Sequence, residues 1–227
     1  DVPCYHTSHQ AGHIWAGLWG SELDWEGSFM ALHISGGTTE IVSVDLSPAV
    51  EAEADPMKME VLGGSLDIHA GQFIDRIGVD VGLSFPAGSQ LENMATEGRF
   101  RGIPPYVLPV SVSGSHLNFS GPETAAVRAL EAGAPPEGVA QGVELCIAQS
   151  LTGIVEHTAQ VSDLDRLLVV GGVASNQYIR RYLESHLEKV GITTAFAPYA
   201  LSSDNAVGVA AYGLWRASQG KSSLIDR

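Results

Sequence analysis

A chain of 227 residues, 44% of them hydrophobic, can bury a sizeable core without disulfides or metal, and its two cysteines, Cys4 and Cys146, make no disulfide framework. Twelve basic residues against twenty-six acidic ones give a net charge of −14, which opposes unaided binding to a phosphate backbone. A run of about eighteen apolar residues is absent, as is a secretory pattern, so no membrane span is expected and the cytoplasm is the expected compartment.

The chain opens at Asp1 with DVPCYHTSHQ, which reads like a strand end running into a helix. The expectation is a piece of a longer protein lacking its N-terminal part. Residues 7–20 read as a helix with Ile14, Trp15, Leu18 and Trp19 on one face. SFMALHISGG followed by TTEIVSVDL reads as a β-hairpin around a Gly-Gly turn. KMEVLGG (58–64) is a third strand, 67–83 a helix ending before Pro86, and 89–97 another helix. The Gly-, Pro- and Ser-rich stretch 98–120 reads as loop with short strands at 106–112 and 117–119. Helices follow at 121–133 and 136–161. RLLVVGGVASNQYIRRYLESHLEKVG is then strand, Gly-Gly turn and helix, and its unbroken apolar strand is that of a sheet interior. TTAFAP adds a strand, and SDNAVGVAAYGLWRAS a closing helix with an Asp near its start. Hairpins first and helix–strand units later make the fold class α/β.

Two groups of residues carry chemistry. His9 and His13 stand four apart on the first helix, so both rings project from one face and can share a metal ion. Two hydrogen-bonded surface histidines would look the same. A zinc-protease motif needs Glu directly after the first His, and here that position is Gln10, whose amide cannot act as a base at neutral pH. A third ligand must come from elsewhere. The second group is three glycine pairs, Gly36-Gly37, Gly63-Gly64 and Gly171-Gly172, each after an expected strand. Tight turns explain any one of them; three in one α/β chain point to a nucleotide-like ligand held by backbone N–H groups. None matches the dinucleotide or P-loop pattern.

In chain order, HQAGH, SGGTTEI, AGQFIDRIGVDVGLSFPAG, NFSGPETAAV, VVGGVASNQYIR and SSDNAVGVAAYG together resemble the TsaD (Gcp) family, formerly labelled glycoproteases, across nearly the whole chain. The resemblance implies an actin/hexokinase-like fold, mainly its second lobe with part of the first. Residues 1–27 would be a remnant of the first lobe, 28–199 the second lobe, and 200–227 a helix returning to the first. It implies transfer of a threonylcarbamoyl group from threonylcarbamoyl-AMP to adenosine 37 of tRNA, and one divalent metal, iron or zinc, on His9, His13 and Asp204. It further implies an adenine nucleotide (ATP, AMP or threonylcarbamoyl-AMP) held by Ser35, Gly36, Gly37, Thr38, Thr39, Asp75, Gly88, Gly171, Gly172 and Asn176. Asp75 would accept ribose hydroxyls, and Asn176 would stand at a helix start whose N–H groups face the ligand.

The chain departs from that pattern. Thr38 stands where the family's phosphate loop has His, Glu123 where SGLKT has a basic residue, and Gln72 where the family's helix has an acid. These point toward a paralogous branch. The alternatives are a non-catalytic nucleotide-binding paralogue acting through partner subunits, a metallopeptidase, and a sugar kinase of the same superfamily. The face bearing Trp15 and Trp19, with Trp25 beyond, is expected to be exposed and to mediate self-association through Ile14–Trp25. From the acidic charge, the isolated chain should bind tRNA with a dissociation constant above about 10⁻⁵ M at physiological salt. Filter binding tests this; sub-micromolar, sequence-selective binding overturns it.

Overall fold

The computed structural model describes residues 6–21, 25–46, 57–202 and 206–225, with side chains of the last helix described as far as residue 218. Seven strands form one mixed sheet in the order β4-β5-β3-β2-β1-β6-β7 among the described residues. β1 (Ser28–Ile34), β2 (Thr39–Asp45) and β3 (Lys58–Ser65) are an antiparallel meander. β6 (Arg166–Val170) and β7 (Thr193–Phe196) add to β1 in parallel. The short strands β4 (Val112–Ser113) and β5 (His116–Leu117) close the other edge against β3. The helices are α1 (His9–Gly20), α2 (Ala70–Asp80), α3 (Gly88–Phe100), α4 (Ser120–Glu131), α5 (Pro136–Ser162), α6 (Gln177–Leu187) and α7 (Val207–Ile225).

Side-chain alternation along the central strands serves two cores, one on each face. Met30, Leu32 and Ile34 of β1, with Leu167 and Val169 of β6, enter the larger core with Phe73 of α2, Leu91 of α3 and Ile147 of α5. Phe29 and Ala31, with Leu168 and Val170, enter a smaller core with Ile14 and Trp15 of α1 and Tyr212 of α7. Helix α5 is long and apolar enough to cross a membrane, but 83% of its most apolar stretch is buried. Its buried residues, among them Val143, Ile147 and Leu151, make it the axis of the larger core.

The small core corrects the expectation of an exposed tryptophan face. Ile14, Trp15 and Trp25 are buried, and only Trp19 of that group is exposed. Helix α7 supplies the cover: Trp15 lies 4.7 Å from Trp215 and 6.1 Å from Tyr212 between ring centroids. The two helices meet at glycines. A Cβ on Gly208 would stand 1.8 Å from the Gly12 carbonyl oxygen, so neither backbone could approach with a side chain there.

Two other boundaries differ for local reasons. The helix expected from residue 67 begins at Ala70, because Asp67 caps another element. The strand expected at 106–112 shrinks to Val112–Ser113. Pro104, Pro105 and Pro109 lack the N–H a ladder needs, and the segment docks on α5 instead. Tyr106 N–H donates to the Gly138 carbonyl at 2.8 Å, Gln141 Nε2 to the Ile103 carbonyl at 2.8 Å, and the Cys146 thiol to the Pro109 carbonyl at 3.3 Å. Burial pushes the Cys146 thiol up to about 11, so it is an inert packing group.

Asp67 fixes the start of α4. Its carboxylate accepts from Phe119 N–H at 2.8 Å, Ser120 N–H at 3.1 Å, Ile68 N–H at 2.6 Å and the Ser120 hydroxyl. Partial burial alone would raise its pKa; these bonds outweigh it and hold the carboxyl well below the usual range. A depressed pKa adds stability that is present above the unfolded value of about 4 and is lost as pH falls below it. Asp67→Asn should therefore lower stability by about 1 kcal/mol at neutral pH, the scale of a helix cap. Thermal unfolding should show the gap between mutant and wild type closing in acid; a pH-independent gap would refute the assignment.

Candidate functional site

The turn between β1 and β2 is built by Ser35. Its N–H donates to the Thr38 carbonyl at 2.8 Å, and its hydroxyl accepts from Gly37 N–H at 3.2 Å. The turn packs on the start of α2. Gly71 N–H donates to the Ser35 carbonyl at 3.1 Å, and Ala70 N–H to the hydroxyl of the fully buried Thr39 at 2.8 Å. A Cβ on Gly71 would lie 2.7 Å from Gly36 N, Gly36 Cα and the Ser35 oxygen, so only glycine allows this approach. Gly36 itself has open space where its Cβ would be. It turns bare backbone to a cavity, as close binding of an anion requires.

That cavity, about 470 Å³, is lined by Gly36, Gly71, Ile74, Asp75, Pro86, Gly88, Ser89, Glu92, Gly172, Val173, Ser175 and Asn176. Five of the residues singled out from the sequence thus converge: Gly36, Asp75, Gly88, Gly172 and Asn176. Ser35, Gly37, Thr38, Thr39 and Gly171 are not part of this lining. Gly171 has φ 96°, and a Cβ there would stand 2.4 Å from the Ile34 carbonyl oxygen, so glycine lets the chain leave β6 beneath the end of β1. A neighbouring cavity of about 580 Å³ shares Gly36 and Asp75 and adds Gln72, Arg76, Phe85 and Glu123.

The charges around the cavities are mostly spent on protein partners. Asp75 accepts from Ala87 N–H at 2.8 Å through one oxygen. Gln72 accepts from His69 N–H at 3.0 Å, closing the first turn of α2. Glu123 pairs with Arg76 at 3.1 Å, which accounts for an acid in the place of a base. The start of α6 is occupied too. Asn176 Oδ1 accepts from Ile179 N–H at 2.9 Å, and Glu92 accepts from Gln177 N–H at 2.7 Å. Two of the N–H groups at this helix start thus have acceptors within the protein. Asn176 Nδ2 donates at 2.8 Å to Glu144, a fully buried carboxylate that Arg99 meets at 2.7 Å. Burial raises the Glu144 pKa, against the lowering pull of Asn176 and Arg99.

The histidines lie on the other face of the sheet. His9 and His13 stand edge-on with centroids 4.7 Å apart, as the four-residue spacing implies. Asp204 lies outside the described residues. Sequence reading missed a third imidazole: His33 of β1 is buried, 4.7 Å from His13 and 6.3 Å from His9 between centroids. Its strand parity with Phe29 and Ala31 was the available signal. Among the described residues no three potential ligands are close enough, as they stand, to hold an ion. Gln10 Nε2 donates to Glu40 at 3.1 Å, and Glu40 is the cross-strand partner of His33.

Comparison with known proteins bears on these features. A family model described as TsaD, tRNA N6-adenosine threonylcarbamoyltransferase, matches residues 1–211. A protein of that name from Prochlorococcus marinus (strain AS9601) is 33% identical over 226 residues, covering 94% of this chain and 60% of its own length. Another from Archaeoglobus fulgidus is 28% identical over 227 residues, covering 100% and 65%. The chain thus spans less than two thirds of these relatives. Among solved structures, full-length HypF in its phosphate- and nucleotide-bound form superposes with a TM-score of 0.72 at 12% identity, over 95% of this chain and 36% of HypF. The activator of 2-hydroxyisocaproyl-CoA dehydratase from Clostridium difficile with bound ADPNP gives 0.54 at 15% identity, over 97% and 70%. The fold is the actin/hexokinase-like α/β fold expected from the sequence.

Gly71→Ala should displace the Ser35–Thr38 turn and cost about 1–3 kcal/mol, the range for overpacking. Gly36→Ala, in open space, should stay within about 0.5 kcal/mol of wild type. Chemical denaturation of both variants checks the contrast; equal effects would refute the packing argument.

Proposed function

The chain belongs to the TsaD family of tRNA N6-adenosine threonylcarbamoyltransferases, and from that premise we propose that it holds an adenine nucleotide at the Gly36 turn and takes part in threonylcarbamoyl transfer to tRNA adenosine. The observation that carries this reading is the convergence of Gly36, Asp75, Gly88, Gly172 and Asn176 on one cavity of about 470 Å³. That volume suits a small nucleotide. Bare backbone at Gly36 suits its phosphate, and the second oxygen of Asp75, beside the one held by Ala87 N–H, suits ribose hydroxyls. In threonylcarbamoyl-AMP the carbonyl is already activated by its phosphate, so the adenosine N6 amine displaces AMP directly and no side-chain nucleophile is required. The chain's task is then orientation and exclusion of water.

Two imidazoles one helical turn apart fit a divalent transition ion, iron or zinc, with Asp204 as the carboxylate donor. When bound, such an ion supplies Lewis-acid polarisation of a carbonyl or carboxylate oxygen. Catalysis would take place in the cytoplasm, with partner subunits supplying the positive charge for tRNA that this chain lacks. A second reading, a nucleotide-binding paralogue without transferase activity, is favoured by the Arg76–Glu123 pair, which neutralises a cation beside the cavity. Peptidase chemistry is disfavoured, since the Gln10 amide is engaged with Glu40.

Asp75→Ala should weaken adenine-nucleotide binding to the full-length protein by about 1.5–3 kcal/mol, the scale of a hydrogen bond to a charged group. Calorimetry reads this directly, and unchanged affinity removes Asp75 from the site. Incubation with threonylcarbamoyl-AMP, tRNA and partner subunits separates the two readings: nucleotide binding without modified adenosine favours the paralogue.

A further inference from the structure

We propose that Arg180 is a positioning residue for the nucleotide: it fixes the Gly172–Ser175 turn of the cavity wall by clamping it to the segment that follows β7. The proposal rests on the reading that this cavity holds an adenine nucleotide. Gly172, Val173, Ser175 and Asn176 line the cavity, whereas Arg180, one turn beyond Asn176 on α6, is not part of the lining.

The turn closes on itself only in part. Ala174 N–H donates to the Gly171 carbonyl and Asn176 N–H to the Val173 carbonyl, both at 3.0 Å. A further step of the same kind would aim Gln177 N–H at the Ala174 carbonyl, but that donor goes to Glu92 at 2.7 Å. Arg180 supplies donors there. Its Nε and Nη2 donate to the Ala174 carbonyl at 3.2 and 3.1 Å, and Nη2 also donates to the Ala197 carbonyl at 3.0 Å. All three bonds end on main-chain oxygens, so this side chain holds backbone. Ala174 and Ala197 are both buried, where a carbonyl deprived of its donor is costly.

The guanidinium is itself held. It lies over the Phe196 ring at 4.6 Å and over the Tyr199 ring at 4.5 Å from the centroids. Ala197 is anchored in turn, because its N–H donates to the Val169 carbonyl at 2.9 Å and its side chain belongs to the small core. The clamp therefore ties the wall of the cavity to the core on the other face of the sheet. It needs a planar fork. A lysine ammonium is a single point of charge and cannot bond two carbonyls through separate nitrogens while stacking on two rings.

The test uses the full-length protein and AMP, read by calorimetry below the unfolding transition. The wild type should bind one AMP. Arg180→Lys should bind it about 10-fold more weakly, the scale of one lost hydrogen bond, while near-ultraviolet circular dichroism shows it folded. Asp67→Asn, which loosens a helix cap outside the cavity lining, should keep wild-type affinity. An equal loss in Asp67→Asn would make the effect one of general stability and overturn the proposal. If Arg180→Lys does not fold, Tyr199→Ala takes its place: the ring is 50% exposed, and its loss should free the guanidinium and weaken AMP about threefold. Wild-type affinity in the folded variant overturns the role of Arg180 and leaves the nucleotide reading standing. A wild type that binds no AMP overturns both.

Discussion

The buried carboxylate of Glu144 organises one wall of the cavity beside Gly36. An ion taken out of water must be matched by charge and by hydrogen bonds, or the site collapses. Glu144 gets one partner from the end of α3, Arg99, and one from the cap of α6, Asn176. Helices α3, α5 and α6 are thereby locked at one point. Asn176 lines the cavity, and Glu92, on the same α3 helix as Arg99, holds the first N–H of α6. Arg99 also lies 4.7 Å above the Tyr178 ring, so its guanidinium is fixed on two sides.

The sheet separates two kinds of chemistry. The cavity at Gly36 belongs to the face of the large core, whereas the histidines belong to the face of the small one. β1 joins them. Its Ile34 is in the large core, His33 faces the other two imidazoles, and the chain then turns at Ser35 toward the cavity. Three consecutive residues thus serve core, cluster and turn. A one-residue register slip in β1 would exchange the faces of His33 and Ile34 and ruin both.

Much of this was legible in the sequence because it is local. Periodicity located the helices and the hairpin, and two of the three glycine pairs marked turns at the cavity, whereas Gly63-Gly64 lies within β3, packed against Ser115 and Thr39. What stayed hidden depends on distance along the chain. Nothing near Glu144 announces Arg99 or Asn176, since a buried ion pair is a property of packing. His33 was hidden in an apolar run whose alternation could not be assigned a face before α1 was placed on it. The prolines of 103–109 were visible, but not that α5 would supply the hydrogen bonds a strand partner would have given. The tryptophan face was misread for the same reason: α7, which covers it, lies at the far end of the chain.

That last contact has a consequence for the order of assembly. The large core is made of elements from β1 to β7, which follow one another along the chain. The small core needs α1 and α7, the first and last helices described, seated against each other at Gly12 and Gly208. A chain growing from the ribosome can close the first as its segments emerge, whereas α1 gains its lid only once α7 has been made. The face that carries the histidines therefore matures after the sheet it covers.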